Sequence, residues 1–159
     1  MGDLPPVAPA APAHLPRASC APIVPNMERL ALLGSGIFGF LAVALGAFGA
    51  HGLKARLGPL PDGALRLEWW STAAHYHLVH ALALAAVAFL ASRTSSTAVT
   101  VAAVGFVIGI LVFSGSLYVM TLTGVRALGA VTPLGGLAFL VGWASIAVAA
   151  WKLGVPASR

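Results

Sequence analysis

Long apolar runs separated by short polar stretches dominate this sequence of 159 residues. Four runs span approximately residues 30–50, 70–91, 97–122 and 127–151, and none of them contains Asp, Glu, Lys or Arg. Each run reaches the roughly 20 residues that a helix needs to cross about 30 Å of hydrocarbon. Because backbone N–H and C=O groups in lipid must pair within their own segment, these runs are predicted to be transmembrane helices.

The connections between the runs differ in length. Residues 92–96 and 123–127 are tight turns, which make helices 2, 3 and 4 antiparallel neighbours. Residues 51–69 form a longer connection, in which Leu65 and Trp69 lie four residues apart among charged residues. This pattern predicts an amphipathic segment at the headgroup layer, anchored by two consecutive tryptophans. The predicted fold is an all-α, four-transmembrane-helix antiparallel bundle with this interfacial amphipathic segment between helices 1 and 2.

The composition supports a lipid environment. Charged residues make up only 8% of the chain and hydrophobic residues 59%, whereas soluble domains carry about 25% charged residues. The net charge of +5 comes from scattered basic residues without interleaved aromatic residues, which argues against nucleic-acid binding and fits loops beside anionic headgroups. The lone Cys20 excludes an internal disulfide and a cysteine-based zinc site. The lipid bilayer is therefore the predicted main partner.

The beginning of the chain differs from the rest. Residues 1–26 hold 7 of the 11 prolines, and proline both lacks an N–H donor and disfavours helix in the residue before it. This division predicts a Pro/Ala-rich disordered tail at 1–26 and a four-helix transmembrane domain at 27–159. The tail contains no apolar core long enough for a signal peptide.

Glycines recur at short spacing within the predicted helices. Residues three or four apart lie on nearly one helix face, where glycine lets a neighbouring backbone approach closely. No strand precedes the first of these glycines and no Gly-Lys-Ser/Thr follows it, so a phosphate-binding loop is disfavoured. The pattern predicts helix packing, and the Gly-x-x-x-Gly pair of helix 3 also fits a homodimer. The predicted packing glycines are Gly46, Gly49, Gly105, Gly109, Gly135 and Gly136.

Polar side chains near or within the spans are the candidates for a functional site, because an intramembrane ionisable residue is a functional hypothesis by default. Two histidines on different transmembrane helices can ligate one heme iron, and a histidine–tyrosine pair on one helix face fits a quinone or a proton relay. The alternative for His80 is a structural role, with a hydrogen bond across helices to a Ser, a Thr or a backbone carbonyl. The candidate residues are His51, Tyr76, His80, Ser114 and Ser116.

A metal site lacks the residues it would need. The two glutamates, Glu28 and Glu68, both lie outside the spans, and no Asp or Cys stands near the histidines to complete a zinc or iron site. We therefore expect no metal, no cofactor and no catalytic residues.

Four separate motifs resemble those of a known family. The motifs are GAFGAHGLKARL at 46–57, Tyr76 followed by HALAL at 80–84, FSGSLY at 113–118, and LGAVTPLGGLAFLVGW at 128–143. In this order and spacing they are similar to the YgdD-like small membrane proteins, an uncharacterised family with bacterial and mitochondrial members. The resemblance covers residues 30–152 and implies four transmembrane helices and an integral membrane location. It implies no reaction, so no catalytic residue is carried over from it.

The sequence favours a membrane protein without evident catalysis. We expect an accessory, assembly or structural subunit of a larger membrane complex, in a bacterial or mitochondrial inner membrane. Close-packing glycines and the lack of intramembrane carboxylates support this interpretation. Two alternatives stay open: a small transporter or channel, and a quinone- or heme-associated redox protein that uses the region of His80.

Overall fold

The computed structural model describes residues 26–153, so nearly all of the predicted tail, including Cys20, lies outside the described residues. Within this range the chain forms four helices that are long and apolar enough to cross a membrane, which confirms the predicted all-α fold. A 3-10 turn at Arg126–Ala130 precedes the last helix. The helices are α1, Met27–Leu57; α2, Gly63–Arg93; α3, Thr97–Thr123; and α4, Thr132–Leu153.

Helix α1 begins at an N-cap and is longer than its apolar run. The Asn26 side chain accepts a hydrogen bond from the Arg29 backbone N–H at 2.9 Å, which satisfies one of the amides without an intrahelical partner. The helix continues through a π-helical turn, Gly49–Leu53, and ends at Leu57. The polar residues that follow Ala50 therefore stay helical as the chain leaves the apolar span.

The connection between α1 and α2 consists of residues 58–62 only. Gly63 starts α2 at a point where a methyl group would collide with the Leu57 carbonyl oxygen, so this tight turn requires glycine. The amphipathic stretch predicted before Trp70 is helical and continuous with α2. The connection is shorter than the hydrophobic pattern predicts, because the polar ends of both helices continue the backbone hydrogen bonding.

Arg66 links the start of α2 to the end of α3. Its guanidinium donates from Nε to the Thr121 carbonyl at 2.7 Å and from Nη2 to the Leu122 carbonyl at 2.8 Å. Carbonyls in the last turn of a helix have no intrahelical partner and form the negative end of the helix dipole, so a cation there is stabilising. Helix α3 ends at Thr123 and is followed by Gly124, whose φ of 76° is the left-handed conformation typical of a C-cap.

Two further features interrupt regular helix geometry. Helix α3 contains a π-helical turn at Ile110–Ser114, a rare conformation that is found frequently at functional sites. Pro133 is the second residue of α4. In the first turn of a helix its missing N–H removes no intrahelical bond, so the proline does not distort the span.

Helix α2 lies in the middle of the bundle. It packs along α1 on one side and along α3 on the other, whereas α4 packs mainly against α3. Within the apolar part of each span, 50% of α2 is buried, against 11% of α1 and 22% of α4, so α1 and α4 are the outer helices. The main core lies between the helices at Leu84, Val87 and Phe106, each at most 1% exposed.

Glycines set the closest contacts between α3 and α4. A methyl group at Gly105 would lie 2.9 Å from the Ala138 carbonyl oxygen, tighter than normal packing allows. Gly109 lies against the ring of Phe139 in the same way. The Gly-x-x-x-Gly pair of α3 is therefore used inside the bundle, and its surface is covered by α4 rather than left free for a second copy.

The other predicted packing glycines occupy different surroundings. Gly49 lies against the Trp70 ring and Gly135 against the Phe113 backbone, whereas Gly136 has only ordinary contacts with the Phe113 ring. Gly46 differs from all of them, since a methyl group there would meet nothing within 4 Å. It faces a groove beside α1 that is described below.

Candidate functional site

The segment of α2 at residues 75–80 concentrates polar side chains near the middle of this apolar helix. Tyr76 lies ten residues beyond Arg66, or about 15 Å along the helix axis, which is half the thickness of a typical hydrocarbon layer. The helical period divides the segment into two pairs. His77 and His80 are buried, while His75 and Tyr76 are exposed.

His80 uses both ring nitrogens in hydrogen bonds. Its Nδ1 lies 2.7 Å from the Tyr76 carbonyl oxygen, and its Nε2 lies 3.2 Å from Nε1 of Trp143 in α4. A carbonyl only accepts and an indole N–H only donates, so His80 carries its proton on Nδ1 and accepts at Nε2. The ring also stacks on Phe139 with the centroids 3.4 Å apart. This arrangement fixes the histidine between α2 and α4.

The sequence predicts a Ser, a Thr or a backbone carbonyl of another helix as the partner of His80, but the carbonyl that it bonds, that of Tyr76, belongs to its own helix. The partner on the other helix is Trp143, because α4 brings its indole to the open side of the ring. Ser116 instead bonds with Thr132 at 2.8 Å and donates to the Phe113 carbonyl at 2.9 Å. Ser114 is fully buried, and its Oγ has no hydrogen-bond partner among residues 26–153.

His77 lies on the buried side of α2, where it contacts α1 and α3. Its Nδ1 is 3.4 Å from the Tyr118 hydroxyl, and its ring meets the edge of Phe38 in α1 at 5.7 Å between centroids. Its Nε2 is buried and has no hydrogen-bond partner within the part of the chain that the structure describes. His77 and Ser114 are therefore the buried side chains with an unused polar atom in this range.

His51 is not brought to the histidines of α2. It lies in the π-helical turn of α1 and is exposed. Phe38, the α1 residue that contacts His77, lies thirteen residues away, or about 20 Å along the helix. With both nitrogens of His80 engaged as well, the structure does not assemble the pair of heme ligands considered from the sequence.

Trp70 occupies the position opposite the end of α1. The sequence pattern predicts an interface anchor there, but this tryptophan is only 4% exposed. Its indole donates to the Leu45 carbonyl at 2.8 Å and its ring lies 4.6 Å from that of Tyr118. Burial follows from Gly49, which leaves room for the ring against α1. The sequence feature that could have indicated this contact is the pair of Gly49 near the end of α1 and Trp70 near the start of α2.

Two membrane-facing grooves flank the outer face of α2. The α1/α2 groove has a volume of about 700 Å³ and is lined by small residues of α1 together with Lys54 and His75. The α2/α4 groove has a similar volume of about 700 Å³ and is lined by Tyr76, Trp143, Pro133 and again by His75. His75 therefore stands on the ridge between the two grooves.

The α2/α4 groove is walled by aromatic rings. Tyr76 lies 4.6 Å from the ring of Phe113 and stacks on His80 at 5.9 Å between centroids. Tyr76 is 41% exposed, so part of its phenol faces the membrane rather than the bundle. Within residues 26–153 no three His, Cys, Asp or Glu side chains come together in a way that could hold a metal ion. The groove thus offers rings and hydrogen-bonding groups.

Comparison with known proteins decides the family. A family described as "Protein of unknown function (DUF423)" matches residues 45–136, from the end of α1 to the start of α4. The chain belongs to the DUF423 family. The DUF423 match includes the polar segment of α2 and both π-helical turns. It confirms the family resemblance that the four motifs indicate.

Relatives at high coverage agree with the DUF423 assignment. The UPF0382 membrane protein YwdK of Bacillus subtilis is 49% identical over 127 residues, which cover 79% of this chain and 98% of YwdK. The UPF0382 inner membrane protein YgdD of Escherichia coli is 39% identical over 126 residues, which cover 79% of this chain and 92% of YgdD. No solved structure matches the chain.

Proposed function

We propose that the protein is an accessory subunit of a larger membrane complex, and that a transmembrane helix of another subunit packs on the face of α2 that carries His75 and Tyr76. One observation carries this proposal: both polar side chains are exposed near the middle of α2, a helix long and apolar enough to cross a membrane. The complex would lie in a bacterial or mitochondrial inner membrane, and the name of the Escherichia coli relative supports the bacterial location.

The physical argument concerns the cost of polar groups in hydrocarbon. A hydroxyl or imidazole N–H that faces lipid tails without a hydrogen-bond partner is destabilising by several kcal/mol, on the order of its transfer cost into an apolar solvent. Tyrosine therefore prefers the headgroup layer, about 15 Å from the position of Tyr76. Within membranes such side chains are usually paired between helices. A partner helix would supply the pairing that Tyr76 and His75 lack on their exposed side.

The chemistry of the face defines the partner. The α2/α4 groove offers a phenol and an imidazole surrounded by rings, and it has no charged residue in its lining. A suitable helix would present a hydrogen-bonding side chain such as Ser, Thr, Asn or Gln at its middle, flanked by apolar residues. Large side chains of that helix would enter beside Gly136 and Pro133, which leave space in the groove wall.

The two alternative functions draw less support from the geometry. A redox role for His80 would require the ring to give up its bond with Trp143 before it could ligate iron or bind a quinone oxygen. A transport path would require connected polar groups across the membrane. The buried polar groups near the centre of the bundle are instead enclosed by the rings of Phe38, Tyr118 and Phe139.

The test is purification of the tagged chain at native expression level in mild detergent, followed by identification of bound membrane proteins. The double variant His75→Leu/Tyr76→Phe is compared with wild type and with Phe40→Leu, which alters a 74% exposed residue of α1 away from both grooves. We expect one membrane protein to be bound by wild type and Phe40→Leu and lost from the double variant. Equal recovery from all three chains, or recovery of only a second copy of this chain, would contradict the proposal.

A further inference from the structure

The α1/α2 groove differs in chemistry from the α2/α4 groove. Its α1 wall consists of small residues, which include Ala42, Gly46 and Ala50, and the ring of Trp70 lines it from the α2 side. Gly46 adds no side chain to fill the space, since even a methyl group there would contact nothing. The α1/α2 groove is therefore mostly apolar and open to the membrane.

A cationic side chain, that of Lys54, lies at one end of the α1/α2 groove. Lys54 lines the groove in the last turn of α1, four residues before Gly58 begins the connection. From Ala42 to Lys54 the wall runs along twelve residues, or about 18 Å, from the bilayer interior toward the headgroup layer. The apolar groove matches the shape of a lipid acyl chain, and the positive charge at its interfacial end matches the charge of an anionic headgroup.

Lys54 is available for such a ligand. It is exposed, and the ion pair found within residues 26–153 joins Arg66 to Asp62 at 4.0 Å. The remaining acidic residues of this range are Glu28, at the far end of α1, and Glu68, on an exposed turn of α2. The charge of Lys54 is thus balanced by no carboxylate of the described chain.

We propose that the α1/α2 groove binds one acyl chain of an anionic phospholipid, whose phosphate pairs with the Lys54 ammonium. The acyl chain of this phospholipid lies along Gly46 and Ala50, and the pairing of its headgroup with Lys54 fixes the depth of the lipid in the membrane. A basic residue at the membrane surface favours an anionic over a neutral headgroup by about 1 kcal/mol, or roughly fivefold. This proposal rests on Lys54 and the small residues of α1, whereas the accessory role rests on His75 and Tyr76, so each can fail without the other.

The experiment is native mass spectrometry of the purified full chain, titrated with dioleoyl phosphatidylglycerol or dioleoyl phosphatidylcholine. Wild type is expected to retain one phosphatidylglycerol with roughly fivefold preference over phosphatidylcholine. Lys54→Gln is expected to lose that preference. The matched control, Lys152→Gln, changes an exposed lysine at the end of α4 and is expected to keep it.

A second variant tests whether the α1/α2 groove holds the acyl chain. Gly46→Leu fills the groove without touching Lys54, so it is expected to reduce retention of both lipids, with an unchanged helical circular dichroism spectrum. Equal retention of both lipids by wild type, or unchanged preference in Lys54→Gln, would overturn the proposal. Loss of a bound membrane protein from Gly46→Leu with lipid retention intact would also overturn it, since a helix would then occupy the groove. Tyr76→Phe, at a residue that does not line this groove, should retain its lipid even if the accessory role fails.

Discussion

His80 is held by hydrogen bonds on both sides of its ring, and the bond from Trp143 is the one that spans two helices. Replacement Trp143→Phe keeps a ring against Phe106 but leaves His80 Nε2 without a donor. We expect a loss of about 1 kcal/mol in the free energy of unfolding. Unfolding in mixed detergent micelles measures it, with Trp151→Phe as the matched control, since Trp151 is 81% exposed. A loss of the same size in both variants would contradict a stabilising role for the hydrogen bond from Trp143 to His80.

Arg66 is the other single residue whose role the structure changes. The amphipathic pattern of this segment turns Arg66 away from Leu65 and Trp69, toward the headgroup layer, but its guanidinium binds two carbonyls at the end of α3. Arg66→Met should lower the free energy of unfolding by about 2 kcal/mol, because charge-assisted hydrogen bonds are lost and carbonyls lose their partner. Arg126→Met, at an exposed arginine of the next turn, should change it little. Indistinguishable denaturation curves for the two variants would contradict this account.

Residue-level contacts were the least predictable part of the site. The candidates Tyr76, His80 and Ser116 could be chosen because polar groups in a span are few and visible in the sequence. Their partners could not, because Trp143 reaches His80 only through the packing of α4 on α3. Sequence spacing describes one helix at a time, whereas a hydrogen bond between helices depends on their relative rotation.

At the scale of the elements, the close contact of α3 with α4 depends on glycine. Gly105→Ala places a methyl group 2.9 Å from the Ala138 carbonyl oxygen and should destabilise the bundle by about 2 kcal/mol. Gly36→Ala is the same change in α1, where nothing lies within 4 Å. It should be neutral or stabilising by up to about 1 kcal/mol, because alanine favours helix over glycine. Thermal unfolding in detergent compares the two, and a destabilised Gly36→Ala would indicate a contact within the chain that this fold lacks.

The number of helices and their membrane character could be predicted from apolar length alone, while their ends could not. The hydrophobic pattern stops at Ala50, but helix α1 continues to Leu57. The reason is that hydropathy records where lipid ends, and backbone hydrogen bonding does not end there. The π-helical turns at Gly49–Leu53 and Ile110–Ser114 likewise leave no trace in a pattern read at 3.6 residues per turn.

For the whole molecule, the arrangement of helices separates an inner surface of α2 from a membrane-facing one. Helix α2 contributes His77 and His80 to the interior and His75 and Tyr76 to the membrane face between two grooves. We propose that a helix of another membrane protein covers this face of α2. The family name carries no activity, so the face itself is the basis of the claim.

Site-specific photocrosslinking in living cells tests this claim most directly. A photoreactive residue replaces Leu140, which lines the α2/α4 groove and is 67% exposed, or Phe40, which is 74% exposed outside both grooves. We predict a protein adduct of one defined mass at position 140, absent at position 40 and absent when His75→Leu/Tyr76→Phe is combined with the label. Lipid adducts alone at both positions would contradict the account.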